Sequence, residues 1–381
     1  MVPTPPHRGR SASGADEISL VGGPSPVVPA PCIVQDPARG RLRVVGFTDL
    51  DGTANDEDVP ESERFLTIGP ARECIARCQA AGIDVGVVTG RSFGEAILYA
   101  DALGARGPVI CEDGAVIALP TAGDRNGSSA EPWLVKAIRT VSGRQVIINS
   151  VTEATLLTKI VEKANLILVS RGFEPFLAST DLLPVMAETD PSRRNDLLER
   201  SPFRKMALEQ IGYPDPASVL LAAHRLATCF VISSDYRSYD ITQGLDERRR
   251  ILAAVASESG VDVFSPRLPH LRGKDANKFT AINLIDRSSA SFWGHDVTGI
   301  LPVAWGNSDN DLVLMEKLGD LAGIGFMVGQ PEHSPSFYER RESLKGADVH
   351  IMTKNAGHGM LESLEVLSAG LRQRFGLSLS L

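Results

Sequence analysis

A parallel α/β sheet interrupted by a large α+β insertion is the fold class this sequence predicts, and three observations predict it. Short apolar runs, RVVGFTD at 43–49, IDVGVVT at 83–89 and PVIC at 108–111, alternate with segments of helical spacing. The same alternation returns close to residue 273 and continues toward the carboxyl end. Between the two stretches, residues 120–266 carry their own strands and helices in a different rhythm.

Taken in order, RVVGFTD reads as a buried strand, followed by the polar loop DGTANDEDVPESE. PARECIARCQAAG has Pro70 near the first helical position and Gly82 just past the last, which are the usual marks of a helix start and stop. IDVGVVT is the second strand, RSFGEAILYADALG a helix ending at Gly104, and PVIC a third, short strand. Within the insertion, TEATLLTKIVEKAN and LDERRRILAAVASESG read as helices, ATCFVISSD and VDVFSP as strands. GKDANKFTAINLI then has helical spacing and ILPVAW is a buried strand. GIGFMVGQP and ADVHIMTKNAGHGMLESLEVL supply the closing strands and the last helix. The expected organisation is a disordered tail over 1–42, a first core segment over 43–119, an α+β cap over 120–266 and a second core segment over 267–381. The tail rests on eight prolines within its first 37 residues, a composition that buries too little apolar surface to offset ordering.

Composition removes several function classes. A net charge of −8 over 381 residues argues against a nucleic-acid binder, whose footprint is a basic field. No run of about 18 apolar residues exists, and the amino-terminal region is broken by proline, so a cytoplasmic protein without membrane spans is expected. Five scattered cysteines suit a reducing compartment, and Cys74 and Cys78 read as small core residues of one helix. His224, His270, His295, His333, His350 and His358 show no zinc-hydrolase spacing, and neither a G-x-S-x-G elbow nor a Walker loop is present. The basic run PSRRNDLLERSPFRK reads as a solvated helix face.

The chemistry concentrates at FTDLDGTAND, residues 47–56. In a parallel sheet, ligands bind beyond the carboxyl ends of the strands, where Asp49 and Thr89 fall. A carboxylate there can attack phosphorus while ligating Mg²⁺, a hard cation that favours a few carboxylates plus substrate phosphate oxygens. Asp49 is the expected nucleophile. Asp51 is the expected acid that protonates the leaving oxygen and the base that later activates water. Gly52 lets the backbone turn away.

DLDGT after an apolar strand resembles the first motif of the haloacid-dehalogenase-like phosphotransferases, which have a Rossmann-like parallel-sheet core. VVTGRS, 87–92, is similar to their second motif, which implies that the Thr89 hydroxyl and the Gly90 N–H hold a phosphate oxygen. VICEDGAVI, 109–117, resembles the hairpin that follows the third core strand in the branch with a large inserted cap. GKDANKFTAINLI, 273–285, offers Lys274 and Lys278, and by register with the family's third motif Lys278 is the better candidate for the lysine that neutralises the phosphoryl group, with Phe279 replacing the usual glycine. GNSDNDLVLME, 306–316, resembles the fourth motif, so that Asp311 joins the metal site and Asn310 touches phosphate. Asn307 stands where the family generally has its direct metal-binding aspartate, which implies weaker or altered metal preference. The resemblance covers about 43–118 and 268–370, and the cap's position is that of the sugar-phosphatase branch. It implies a Mg²⁺ site of Asp49, Asp51, Asn307 and Asp311. The implied activity is hydrolysis of a phosphorylated sugar, disaccharide, pseudo-disaccharide or glycoside through an aspartyl phosphate. Two other readings remain: a phosphomutase of the same fold, told apart by isomer formation without phosphate release, and a catalytically silent binding protein, motivated by Asn307 and Phe279. Neither the sugar nor the oligomeric state is readable from the residues.

Overall fold

The computed structural model describes residues 29–120, 138–141, 144–149, 154–211, 215–232, 244–264, 270–308, 311–328, 344 and 348–381. The chain enters through a hairpin of β1 (Ile33–Asp36) and β2 (Gly40–Thr48), paired antiparallel from Ile33 opposite Arg43 to Asp36 opposite Gly40. The Asp36 carboxylate accepts the Ala38 and Arg39 N–H groups, and Gly40 takes φ +84°, so the turn is closed by local chemistry. This corrects the expected tail boundary at residue 42: Cys32 and Val34 are buried, and ordered structure begins well before RVVGF. The prolines at 29, 31 and 37 flank β1 rather than interrupt it, which is where an edge strand tolerates them. Residues 1–28 lie outside the described residues.

Helix α1 (Gly69–Ala80), β3 (Asp84–Val88), α2 (Phe93–Leu103), β4 (Val109–Cys111) and β5 (Val116–Pro120) follow in turn. Then come β6 (Ile138–Val141) and β7 (Arg144–Ile148). The second layer contains α3 (Ala154–Ser170), β8 (Leu177–Ala178), β9 (Cys229–Ile232), α4 (Gly244–Ser257), β10 (Val261–Phe264) and β11 (His270–Gly273). The chain finishes with α5 (Lys278–Arg287), β12 (Gly299–Gly306), α6 (Leu312–Lys317), β13 (Ile324–Met327), β14 (Asp348–Ile351) and α7 (Ala356–Phe375).

The strands β14-β13-β12-β2-β3-β4 run parallel in that order, and β5-β7-β6 extend the sheet antiparallel. A separate antiparallel sheet has the order β10-β11-β9-β8. The fold is therefore α/β, a mostly parallel sheet with helices on both faces. The sheet topology differs from the expected 120–266 insertion at both ends. Strands β6 and β7 pair with the large sheet through β5, and β11 pairs with β9 and β10 in the small one. The short strand after EDGA offers an open edge, and the apolar VII of β7 covers it.

Alternation along the strands builds the two faces. Val44, Val85, Val87, Trp305 and Phe326 point to the side packed by α1, α2 and α7, while Val45, Phe47, Ile300 and Ala304 face α5 and α6. Phe279 packs at the edge of the second cluster, which accounts for an aromatic there without any catalytic role. On the small sheet, Cys229, Val231 and Leu271 face α3 and α4, and Phe230 and Ile232 face the other side. Arg193, Arg194 and Arg200 are exposed on the helix Pro191–Arg200. Among the described residues no helix is long and apolar enough to cross a membrane.

The chain leaves β2 for β3 on one side of the sheet, and β12 returns on the other side of β2. The order reverses there, so a crevice opens at the carboxyl ends of β2 and β12. The candidate site sits in it.

Candidate active site

Asp49 follows β2 directly, and its N–H donates to the Trp305 carbonyl at 3.0 Å, extending the ladder between β2 and β12 past the strand end. The side chain is thereby placed at the base of the crevice, 4% exposed. Opposite it, Lys278 is the first residue of α5, whose N-cap Asn277 accepts the Thr280 N–H. A cation at a helix N-terminus is opposed by the macrodipole, so helix stability does not explain this lysine. Its Nζ donates to Asp49 Oδ1 at 2.9 Å and to Asp311 Oδ1 at 2.7 Å. Asp311 sits at the start of α6, and its Oδ2 accepts the backbone N–H groups of Asn307 (3.1 Å) and Ser308 (3.4 Å). The first two residues after β12 thus direct their N–H groups at one buried carboxylate.

Two buried carboxylates share one ammonium. Burial and then the Asp311 charge push Asp49 above the ordinary carboxylate range, against the pull of Lys278. Burial alone would lower Lys278, but Asp311 and Asp49 override it and keep the ammonium charged. Ionising both carboxylates would leave an excess of negative charge over the single ammonium, which is why ionised Asp49 is disfavoured.

Asp51 is turned elsewhere. Its Oδ2 accepts Arg91 Nε at 2.9 Å and its Oδ1 accepts Arg91 Nη2 at 2.6 Å, Arg64 Nη1 at 3.1 Å and Asn55 Nδ2 at 3.4 Å. Burial would raise this carboxyl, but Arg91 first, then Arg64 and Asn55, bring it down to about 2. Arg91 is itself fixed by Glu95, whose Oε1 accepts its Nη1 at 2.9 Å, and by the Tyr99 ring 5.0 Å below its guanidinium. Glu95 in turn caps α2 through Ser92. Of the residues expected around a cation, Asp49, Asp311 and Asn307 therefore come together, whereas the Asp51 carboxylate faces two guanidiniums instead.

Thr89 directly follows β3, one strand away, buried, with its hydroxyl accepting the Arg91 N–H at 3.2 Å. Gly90 has no room for a side chain: a Cβ there would lie 2.8 Å from Asp113 Oδ1. Asn310 lies outside the described residues. Asn307 is 1% exposed, its Oδ1 accepting from Thr53 Oγ1 at 3.2 Å and its Nδ2 donating to Glu57 Oε1 at 3.1 Å.

Sequence reasoning missed Arg91, Arg64 and Glu57. Arg91 adjoins the quoted TG pair, and Glu57 lies in the acidic loop DGTANDEDVPESE, but only the fold turns them to the site. The structure also buries Glu112 and Asp113 beside this segment, their N–H groups donating to the Arg91 and Thr89 carbonyls, with φ +53° and +56°, backbone that non-glycine residues rarely adopt.

Among the described residues no three His, Cys, Asp or Glu side chains form a group that could hold a metal ion. What the crevice offers is the Asp49 and Asp311 carboxylates around one ammonium, and the Asn307 amide oxygen, which accepts from Thr53 Oγ1 while the Asn307 backbone N–H donates to Asp311. All are hard oxygen donors, and this set fits Mg²⁺, which takes one or two carboxylates and completes its shell with water and phosphate oxygens.

Comparison with known proteins adds the following. No curated protein matches the chain. Among solved structures, a haloacid dehalogenase-like hydrolase from Bacteroides thetaiotaomicron is 16% identical with a TM-score of 0.49, covering 85% of this chain and 99% of that one. A haloacid dehalogenase-like hydrolase from B. subtilis is 16% identical with a TM-score of 0.45, covering 85% and 99%. The sucrose-phosphatase from Synechocystis, solved with sucrose and phosphate, is 15% identical with a TM-score of 0.43, covering 85% and 98%. The family model for haloacid dehalogenase-like hydrolases matches residues 47–130, the stretch that holds Asp49, Asp51, Thr89 and Gly90.

Proposed function

We propose that this protein is a Mg²⁺-dependent phosphomonoesterase acting on a phosphorylated sugar, disaccharide, pseudo-disaccharide or glycoside. The observation that supports it best is Lys278 between Asp49 and Asp311: a buried nucleophile held against an ammonium and a second carboxylate at the crevice of a parallel sheet.

In this reading an Asp49 carboxylate oxygen attacks phosphorus and the leaving sugar oxygen departs with a proton, giving an aspartyl phosphate. Water then attacks that phosphorus and regenerates Asp49. Lys278 balances charge on the transferring group in a dry pocket, where a fixed cation acts more strongly than in water. Thr89 Oγ1 and the Gly90 N–H orient a phosphate oxygen, and Asp311 fixes Lys278 and the loop at Asn307. Asp49, Asp311 and Asn307 would hold Mg²⁺, which would supply charge that screens the repulsion between attacking carboxylate and phosphate. Asp51, ionised against Arg91, is ready for the base half of the cycle. The acid half requires Arg91 and Arg64 to slacken their hold. Specificity for the sugar is assigned to the small-sheet layer over the crevice, and the substrate class follows the resemblance of 47–53 and 108–117 to the sugar-phosphatase branch.

The test is phosphate release across a panel of sugar, disaccharide and glycoside phosphates, with and without Mg²⁺, beside Asp49→Asn. Metal-dependent turnover that is absent in the variant is expected. Isomer formation without phosphate release would make the protein a mutase, and binding without either product would make it a silent binder.

A further inference from the structure

We propose that Glu57 supplies, through the Asn307 side-chain amide, the negative charge that an aspartate at position 307 would bring to the cation site. The inference rests on the metal-dependent reading above.

Chemistry fixes how the Asn307 amide is turned. A carboxylate only accepts hydrogen bonds, so the side of Asn307 facing Glu57 must be its NH₂, as the 3.1 Å contact from Nδ2 to Glu57 Oε1 records. Donation to an anion shifts electron density onto the amide oxygen, so Oδ1 becomes a better ligand than that of an isolated asparagine. Carboxylates just behind a ligand act in this way at many metal sites. The amide alone provides no formal charge, and Glu57 restores one at one remove.

Glu57 is built into place. Its carbonyl accepts Arg64 Nη2 at 3.1 Å, and the same guanidinium reaches Asp51 Oδ1, so one arginine ties the loop to the site. The Asp56 N–H donates to Thr67 Oγ1 at 2.8 Å, and Asn55 Oδ1 accepts the Gly52 N–H at 3.2 Å. Gly52 carries the independent mark of the contact. At φ +72°, a Cβ on residue 52 would lie 2.0 Å from Asn307 Nδ2 and 2.8 Å from Glu57 Oε1. The amide and the carboxylate meet in the space a side chain would fill. Gly52, Asp56, Glu57 and Asp58 also line a cavity of about 730 Å³.

The test is calorimetric titration of the full chain with MgCl₂, read beside the Mg²⁺-induced rise in thermal midpoint. Four proteins are compared: wild type, E57Q, N307D and the double variant E57Q/N307D. Glu57→Gln should weaken Mg²⁺ binding about tenfold or more, the usual scale for a lost supporting carboxylate. In the N307D background the same change should cost clearly less, because the aspartate brings its own charge and no amide N–H is left to relay that of Glu57. An E57Q protein that binds Mg²⁺ as wild type does, or an equal loss in both backgrounds, overturns the proposal. If that happens while wild type binds Mg²⁺ and releases phosphate, only the role of Glu57 falls. A wild type that binds no Mg²⁺ removes the metal-dependent reading and this inference together.

Discussion

Arg91 grips Asp51 with two nitrogens, Nε on Oδ2 at 2.9 Å and Nη2 on Oδ1 at 2.6 Å, in the forked geometry that only arginine provides. A carboxyl so held is depressed to about 2, and the stability it lends is present above the ordinary carboxylate pKa and lost as pH falls from about 4 toward 2. Arg91→Gln should move Asp51 upward. The NMR-detected titration of the Asp51 carboxyl should then shift to higher pH than in wild type, and an unchanged titration would show that Arg91 does not set the ionisation of Asp51.

Asp49 carries the opposite sign. Its ionised form is disfavoured by burial and by Asp311, so at neutral pH it costs stability rather than adding it. Asp49→Asn should abolish turnover and, in EDTA, raise the thermal midpoint by a few degrees; about 1 kcal/mol corresponds to roughly 2–4 °C for domains of this size. Its further rise on adding Mg²⁺ should be smaller than in wild type. A lowered midpoint in EDTA would contradict the cost of ionising Asp49 in the folded chain.

Lys278→Met leaves Asp49 and Asp311 buried without their cation. Breaking one side of such a group costs about 3–5 kcal/mol, and losing a preorganised charge costs about 10²–10³ in kcat. Urea unfolding and initial rates check both. The double variant Lys278→Met with Asp311→Asn should unfold at higher urea than Lys278→Met alone, while remaining inactive.

Gly52→Ala should destabilise the chain by about 1–3 kcal/mol through its positive φ. The new Cβ must also push Asn307 from its place. Mg²⁺ affinity is therefore expected to fall with stability, which calorimetry beside a melt would read directly. A loss of stability alone would place the strain elsewhere.

His270 lies largely covered against Phe230, with Asp113, Arg225 and Arg272 around it, and desolvation first, then the two arginines, hold its pKa well below 6.5. The folded chain keeps it neutral while the unfolded chain takes up a proton. Stability is therefore full above pH 6.5 and declines as pH falls below it. His270→Phe should make the unfolding free energy less pH-dependent between pH 7.5 and 5.5, and an unchanged slope would assign the dependence to other groups.

What could be read in advance follows from how local each signal is. Asp49, Thr89, Asn307 and Asp311 come at the ends of apolar runs, and Lys278 begins a helix, so period and punctuation place them on one edge of a sheet. The fold brings Asp49, Lys278, Asn307 and Asp311 into contact. Arg64 and Glu57 carry no such mark, because a charged residue in a polar loop looks the same whether it faces water or a buried carboxylate. Strand β1 was hidden by its prolines, which signal disorder by composition and an edge strand by position. Strand β7 was hidden for another reason: pairing with β5 depends on partners far apart in space from the rest of the insertion, and spacing along the chain says nothing about which sheet a strand joins.

Glu112 accepts three hydrogen bonds from the segment 226–228: Leu226 N at 2.7 Å, Ala227 N at 2.9 Å and Thr228 Oγ1 at 2.8 Å. The residue that ends the third parallel strand thus also serves as the socket of the smaller layer. For anyone grafting that layer onto a related scaffold, or shuffling it to change selectivity, the socket and its plug are one part. A chimera that imports residues 226–228 without Glu112, or keeps Glu112 beneath a foreign loop, would bury a carboxylate with nothing to receive it. Crossover points belong outside this joint, where the helices and loops can vary without moving the floor on which they stand.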